Sequence, residues 1–76
     1  MDTFNSFKDV IEAWPSVEAF ADDTGVSANL VSVWKHRDTL PNRVWAEVVA
    51  GAEAREIEGV TYATLVAIAA AKKKAA

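Results

Sequence analysis

The sequence predicts an all-α fold, a compact bundle of about five short helices. Three observations carry this. Apolar residues recur at helical spacing behind good N-cap residues, and no stretch shows the sustained alternation or the Asn-Gly or Asp-Gly turns of hairpins. Pro15, Gly25, Pro41 and Gly59 then fall between the helical stretches and leave loops of two to six residues, normal for a compact α domain.

Asn5 is read as the cap of a first helix running to about Ala13, with Phe7, Val10, Ile11 and Trp14 along one side. Pro15 ends it, because the residue before a proline is pushed out of the α region. Ser16 caps a second helix with Glu18 in its first turn and Val17, Phe20 and Ala21 inward, and Gly25 suits the turn that ends it. Ser27 caps a third helix that fades between Arg37 and Thr39. Pro41 opens a fourth, expected over residues 42–56 and burying Val44, Trp45, Val48, Val49 and Ala52. The Ala50-Gly51-Ala52 run reads as a site of close packing. Gly59 breaks this helix, and Thr61 caps a fifth whose apolar side is Leu65, Val66, Ile68 and Ala69. Lys72, Lys73 and Lys74 complement the dipole at its end and form a solubilising fringe.

Seventy-six residues make one domain, near the lower size limit for an unassisted hydrophobic core. The chain has no Cys and one His, which argues against disulfides, thiolate metal sites and zinc fingers. No apolar run approaches the roughly 18 residues of a membrane span. The acidic start MDTFNSFKDV lacks the basic and apolar parts of a signal peptide, so a cytoplasmic location is expected. No nucleophile–base pair or phosphate loop is visible, so an enzyme is not expected, nor is a cofactor, a metal or a small-molecule ligand.

Net charge is −3, but it is unevenly spread. The first 26 residues carry six acids and one Lys. Residues 27–46 carry Lys35, Arg37 and Arg43 against Asp38 alone. A local field steers a polyanion more than the total does.

Two short helices joined by a tight Gly-containing turn describe a helix-turn-helix, here residues 16–37. Ala21, four residues before Gly25, lets the helices cross closely, and Val26 plugs the turn. Val31 and Trp34 close the core beneath it. The stretch SVEAFADDTGVSANLVSVWKHRDTLP resembles the Cro and CI repressor-like family, the XRE-type helix-turn-helix regulators of bacteria and phages. The shared pattern is FA-x-x-x-GVS-x-x-x-V-x-x-W. The continuation RDTLPNRVWAEVVAGAEA is similar to a short phage-repressor-like subset, and together they cover about residues 6–56. The resemblance implies a lambda-repressor-like fold in a single domain, 1–76. It also implies a nucleoid-associated role in a bacterial cytoplasm, with double-stranded DNA as partner through its major groove.

At 100° per residue, Ser27, Leu30, Val31 and Trp34 fall on the packing side of the third helix. Ala28, Asn29, Ser32, Val33 and His36 fall on the other, with Lys35 and Arg37 on the flanks. A solvated helix face ordinarily favours long charged residues, whereas a face pressed into a groove favours small ones. Base-edge chemistry then assigns roles. Asn29 pairs with adenine, Ala28 and Val33 meet thymine methyls, and Ser32 bonds either a donor or an acceptor. Lys35, His36, Arg37, Asn42 and Arg43, and the caps Ser16 and Ser27 at helix N-termini, are phosphate candidates. Each has a plain rival: Asn29 and His36 as surface residues, and Arg37 as a partner of Asp38 or of an acid on the second helix. The three tryptophans are expected in the core.

Two positions depart from the family. Val17 and Ala28 stand where many members have amides, which removes two hydrogen-bonding groups and favours reading DNA in pairs. A homodimer, or pairing with a related regulator, is therefore expected. The fifth helix (61–73) or the far side of the fourth would supply the contact, with Leu40, Val60 and Tyr62 as contributors. The alternative is an interaction module of the same fold, such as an antirepressor, an antitoxin-like partner or a complex subunit. Its acids Asp9, Glu12, Glu18, Asp22 and Asp23 would face a basic partner.

Overall fold

The computed structural model describes residues 4–75, with side chains through residue 73. Those residues form five α-helices and no strand: α1 (Phe7–Glu12), α2 (Val17–Thr24), α3 (Ala28–Arg37), α4 (Trp45–Ala54) and α5 (Tyr62–Ala75). A 3₁₀ turn, Asn42–Val44, leads into α4. The radius of gyration is 11.3 Å. Among the described residues no helix is long and apolar enough to cross a membrane. Of the three C-terminal lysines, the Lys74 side chain lies outside the described set.

Side-chain caps start four of the helices. The Ser16 hydroxyl accepts the Ala19 N–H at 3.1 Å, and the Ser27 hydroxyl accepts the Leu30 N–H at 3.2 Å. The Thr61 hydroxyl accepts the Thr64 N–H at 3.2 Å. The cap of α1 is Ser6, not Asn5: its hydroxyl accepts the Asp9 N–H at 3.1 Å. A cap must reach the amide three residues on, and Ser6, extended at φ −152°, does so. Pro41 stands just outside the fourth helix, and its carbonyl accepts the Val44 N–H at 3.1 Å.

Three helices end on a left-handed residue: Gly25 (φ 74°), Asp38 (φ 56°) and Glu56 (φ 60°). In each case the next amide reaches back five residues, Val26 to Ala21, Thr39 to Trp34 and Ile57 to Ala52, which satisfies carbonyls left orphaned at a helix end. The fourth helix therefore stops at Ala54, short of Glu56, because that residue has left the helical region.

The core is a single cluster that includes Phe7, Val10, Ile11, Phe20, Val31, Val48, Leu65 and Ile68, and all three tryptophans are buried in it. The Trp14 ring meets Phe20 edge-on at 4.8 Å. The Trp45 indole N–H donates to the Leu40 carbonyl at 3.0 Å. Thr24 is buried, and its hydroxyl donates to the Phe20 carbonyl at 2.8 Å, so that buried oxygen is paired. Leu40 and Val60, expected as dimer contacts, are core residues, while Tyr62 is exposed. Val66, expected on the inner side of α5, is exposed as well, because Leu65 and Ile68 set the buried side.

α2 packs on α1, α3 and α4, and α1 also packs on α3. The close-packing site at Gly51 exists, and its neighbour is Asp23 of α2. A Cβ on Gly51 would lie 3.0 Å from the Asp23 Cβ. The Asp23 carboxylate accepts the Trp14 indole N–H at 2.8 Å and the Arg55 Nε–H at 2.6 Å. The hydrogen bond from Arg55, followed by that from Trp14, holds the Asp23 carboxyl below the usual carboxylate range. Asp23 therefore knits α2 to the segment after α1 and to the end of α4. It is engaged within the fold, which removes it from the acids read as facing a partner.

Candidate nucleic-acid interface

The α2–α3 connection turns on Gly25, whose left-handed backbone brings Ser27 directly to its capping position. From that start α3 runs ten residues. Val31 and Trp34 are buried and Leu30 is half-buried, so its outward side is fixed. Asn29, Ser32, Val33 and His36 lie exposed on it, a group without an acid. Val33 is 44% exposed, one of three large apolar side chains so placed among the described residues.

Ala28 does not share that side. It is half-buried and packed against the core. Helical side chains lean toward the N-terminus, so a residue in the first turn covers the preceding turn rather than the outer face. Ser27, on the packing side by angular spacing, is exposed, with its hydroxyl engaged as the cap.

The cations fall into two groups. Lys35 is half-buried, and its ammonium lies 3.6 Å from the Glu12 carboxylate on α1. Arg37 and Arg43 are exposed and form no ion pair among the described residues, so Arg37 pairs with neither Asp38 nor an acid of α2. Asn42 is exposed beside Arg43 on the 3₁₀ turn. Ser16 is exposed at the start of α2, with its hydroxyl engaged as a cap.

Three of the sequence-derived residues come together. Ser32, Lys35 and His36 line an open cleft of about 450 Å³, with Ser6 and Lys8 from the start of α1, Val17 from α2, and Asp38. Asn42 and Arg43 stand outside that lining. The Asp38 carboxylate accepts the Lys8 backbone N–H at 3.0 Å and lies 3.5 Å from the Lys72 ammonium, so it joins α3 to α1 and α5. Sequence reasoning missed both Lys8 and Asp38. The available signal for Lys8 was its isolation, as the one cation in an acidic stretch of 26 residues. Among the described residues no group of three His, Asp or Glu is placed to hold a metal ion.

Compared with protein-family models, curated proteins and solved structures, the chain matches none.

Proposed function

We propose that this protein is a sequence-specific double-stranded DNA-binding regulator of helix-turn-helix type, without catalytic activity, that acts as a repressor of the phage-like kind. The observation that carries the proposal is the outward side of α3. Asn29, Ser32 and Val33 are exposed, small and uncharged, and Lys35, His36 and Arg37 follow them at the helix end. In this reading α3 lies in the major groove, Asn29 pairs with an adenine, Val33 meets a thymine methyl, and the cations hold phosphates. Ala28, half-buried, contributes at most the edge of its methyl. The reading puts the protein on the bacterial nucleoid.

Pairing of two copies is part of the proposal. Tyr62 and Val66 are 51% and 55% exposed and four residues apart on one face of α5, and Ala63, Ala67 and Ala70 are exposed around them. A helix apolar on its outer as well as its inner side is ordinarily covered. To read DNA, two copies joined there must set their α3 helices about one DNA turn, roughly 34 Å, apart.

Genome-wide mapping of bound DNA identifies the site, and the mass of the complex on one such site tells one copy from two. On that site Lys35→Ala weakens binding on all sequences alike and lowers the salt slope by about one, whereas Asn29→Ala relaxes sequence preference. If both variants bind like the wild type, the assigned face is wrong. The interaction-module reading rests on exposed Glu18 and Asp22, and it predicts negligible retention on heparin or bulk DNA at low salt.

A further inference from the structure

Lys8 and Glu12 are four residues apart, on one face of α1, and that face looks across to α3. Glu12 is the last residue of its helix, where the negative end of the dipole disfavours a carboxylate. Its charge is met from outside the helix, by Lys35 of α3 at 3.6 Å. The Lys35 and Glu12 side chains keep 35% and 44% of their surface in solvent, and a pair so open to water is weak and readily exchanged. Lys8 is exposed and makes no ion pair among the described residues.

Lys8, Lys35 and His36 all line the cleft between the start of α1 and the outward side of α3, with the Ser6 and Ser32 side chains beside them. The one acid in the lining, Asp38, is already engaged by the Lys8 N–H and the Lys72 ammonium. The cleft is open to solvent and, at about 450 Å³, has room for a phosphate group.

We propose that this cleft is a phosphodiester site, in which Lys8 of α1 joins Lys35 and His36 of α3 on one backbone phosphate, and in which Glu12 is the resident carboxylate that the phosphate displaces from Lys35. The inference rests on the DNA-binding reading and adds a second helix to the contact. It makes Lys8 a phosphate-binding residue and Glu12 a residue that opposes binding. The exchange needs no change of fold: one exposed ion pair opens and another forms.

The test is the affinity of the full chain for a duplex of random sequence between 50 and 200 mM salt, with thermal melting as the folding control. Lys8→Gln keeps the backbone N–H that Asp38 uses. Loss of one phosphate contact lowers the salt slope by about one, which is worth roughly threefold in affinity across that salt range. Glu12→Gln is expected to tighten binding by a similar factor, and the gain is expected to vanish in the Lys35→Ala background.

If the wild type binds and Lys8→Gln binds equally well with an unchanged slope, the site is wrong while the DNA reading stands. A Glu12→Gln gain of the same size with and without Lys35 reduces Glu12 to long-range repulsion and overturns the displacement. If the wild type binds no duplex at the lowest salt, the DNA reading falls and takes this inference with it.

Discussion

Gly51→Ala sets two opposing effects against each other at one position. Gly in a helix interior is about 1 kcal/mol less favourable than Ala, so propensity alone makes the substitution stabilising. The structure opposes it. The new Cβ would lie 3.0 Å from the Asp23 Cβ, 3.1 Å from Oδ2 and 3.3 Å from Cγ, so Asp23 must give way by a few tenths of an ångström. Asp23 is poorly placed to do so, because its carboxylate is held by the Trp14 indole at 2.8 Å and by Arg55 at 2.6 Å. Overpacking costs about 1–3 kcal/mol, and weakening a hydrogen bond to a charged group adds about 1.5–3 kcal/mol if it is lost outright. Set against the propensity gain of about 1 kcal/mol, the net loss runs from about 0–2 kcal/mol with the hydrogen bonds kept to about 1.5–5 kcal/mol with one lost outright. At about 2 kcal/mol, where the two ranges meet, Tm falls by roughly 8–16 °C. Thermal melting measures it, and the Trp14 indole N–H resonance should move as its acceptor shifts. A rise in Tm with an unmoved indole resonance would mean that Asp23 yields freely and that the contact sets no limit at Gly51.

Two further outcomes follow from the same contacts and helix ends. Because the folded-state pKa of Asp23 is depressed, its contribution is present above the unfolded value of about 3.9 and is lost as pH falls through the lower folded value. The Tm difference between wild type and Asp23→Asn should therefore be largest near neutral pH and shrink below about pH 4. Glu56→Gly should raise stability by up to about 1 kcal/mol in denaturant melts, because φ 60° strains any residue with a Cβ and the site is an exposed helix end.

Helix caps and turn residues were legible where chemistry and geometry coincide. Ser16, Ser27, Thr61 and Gly25 each have one good role in their local sequence, and each fills it. Asn5 and Ser6 are adjacent and equally suited to capping, and nothing local decides between them. The left-handed ends at Asp38 and Glu56 were hidden because neither residue is a glycine. Val66 was misplaced because α5 is apolar around most of its circumference, so periodicity gives its buried side no phase. Within the candidate interface, the exposure of Asn29, Ser32, Val33 and His36 followed from angular spacing alone. Ala28 did not follow, since spacing ignores the N-terminal lean of helical side chains. The pairs Glu12–Lys35 and Asp23–Arg55 join residues 23 and 32 positions apart, and a single sequence holds no record of such contacts.

If the outward side of α3 lies against DNA, titrating the labelled protein with a duplex at low salt shifts the amide resonances of Asn29, Ser32, Val33, Lys35 and His36, while the middle of α4 stays still. Shifts confined to the acidic residues Glu18 and Asp22, or none anywhere, would contradict that placement.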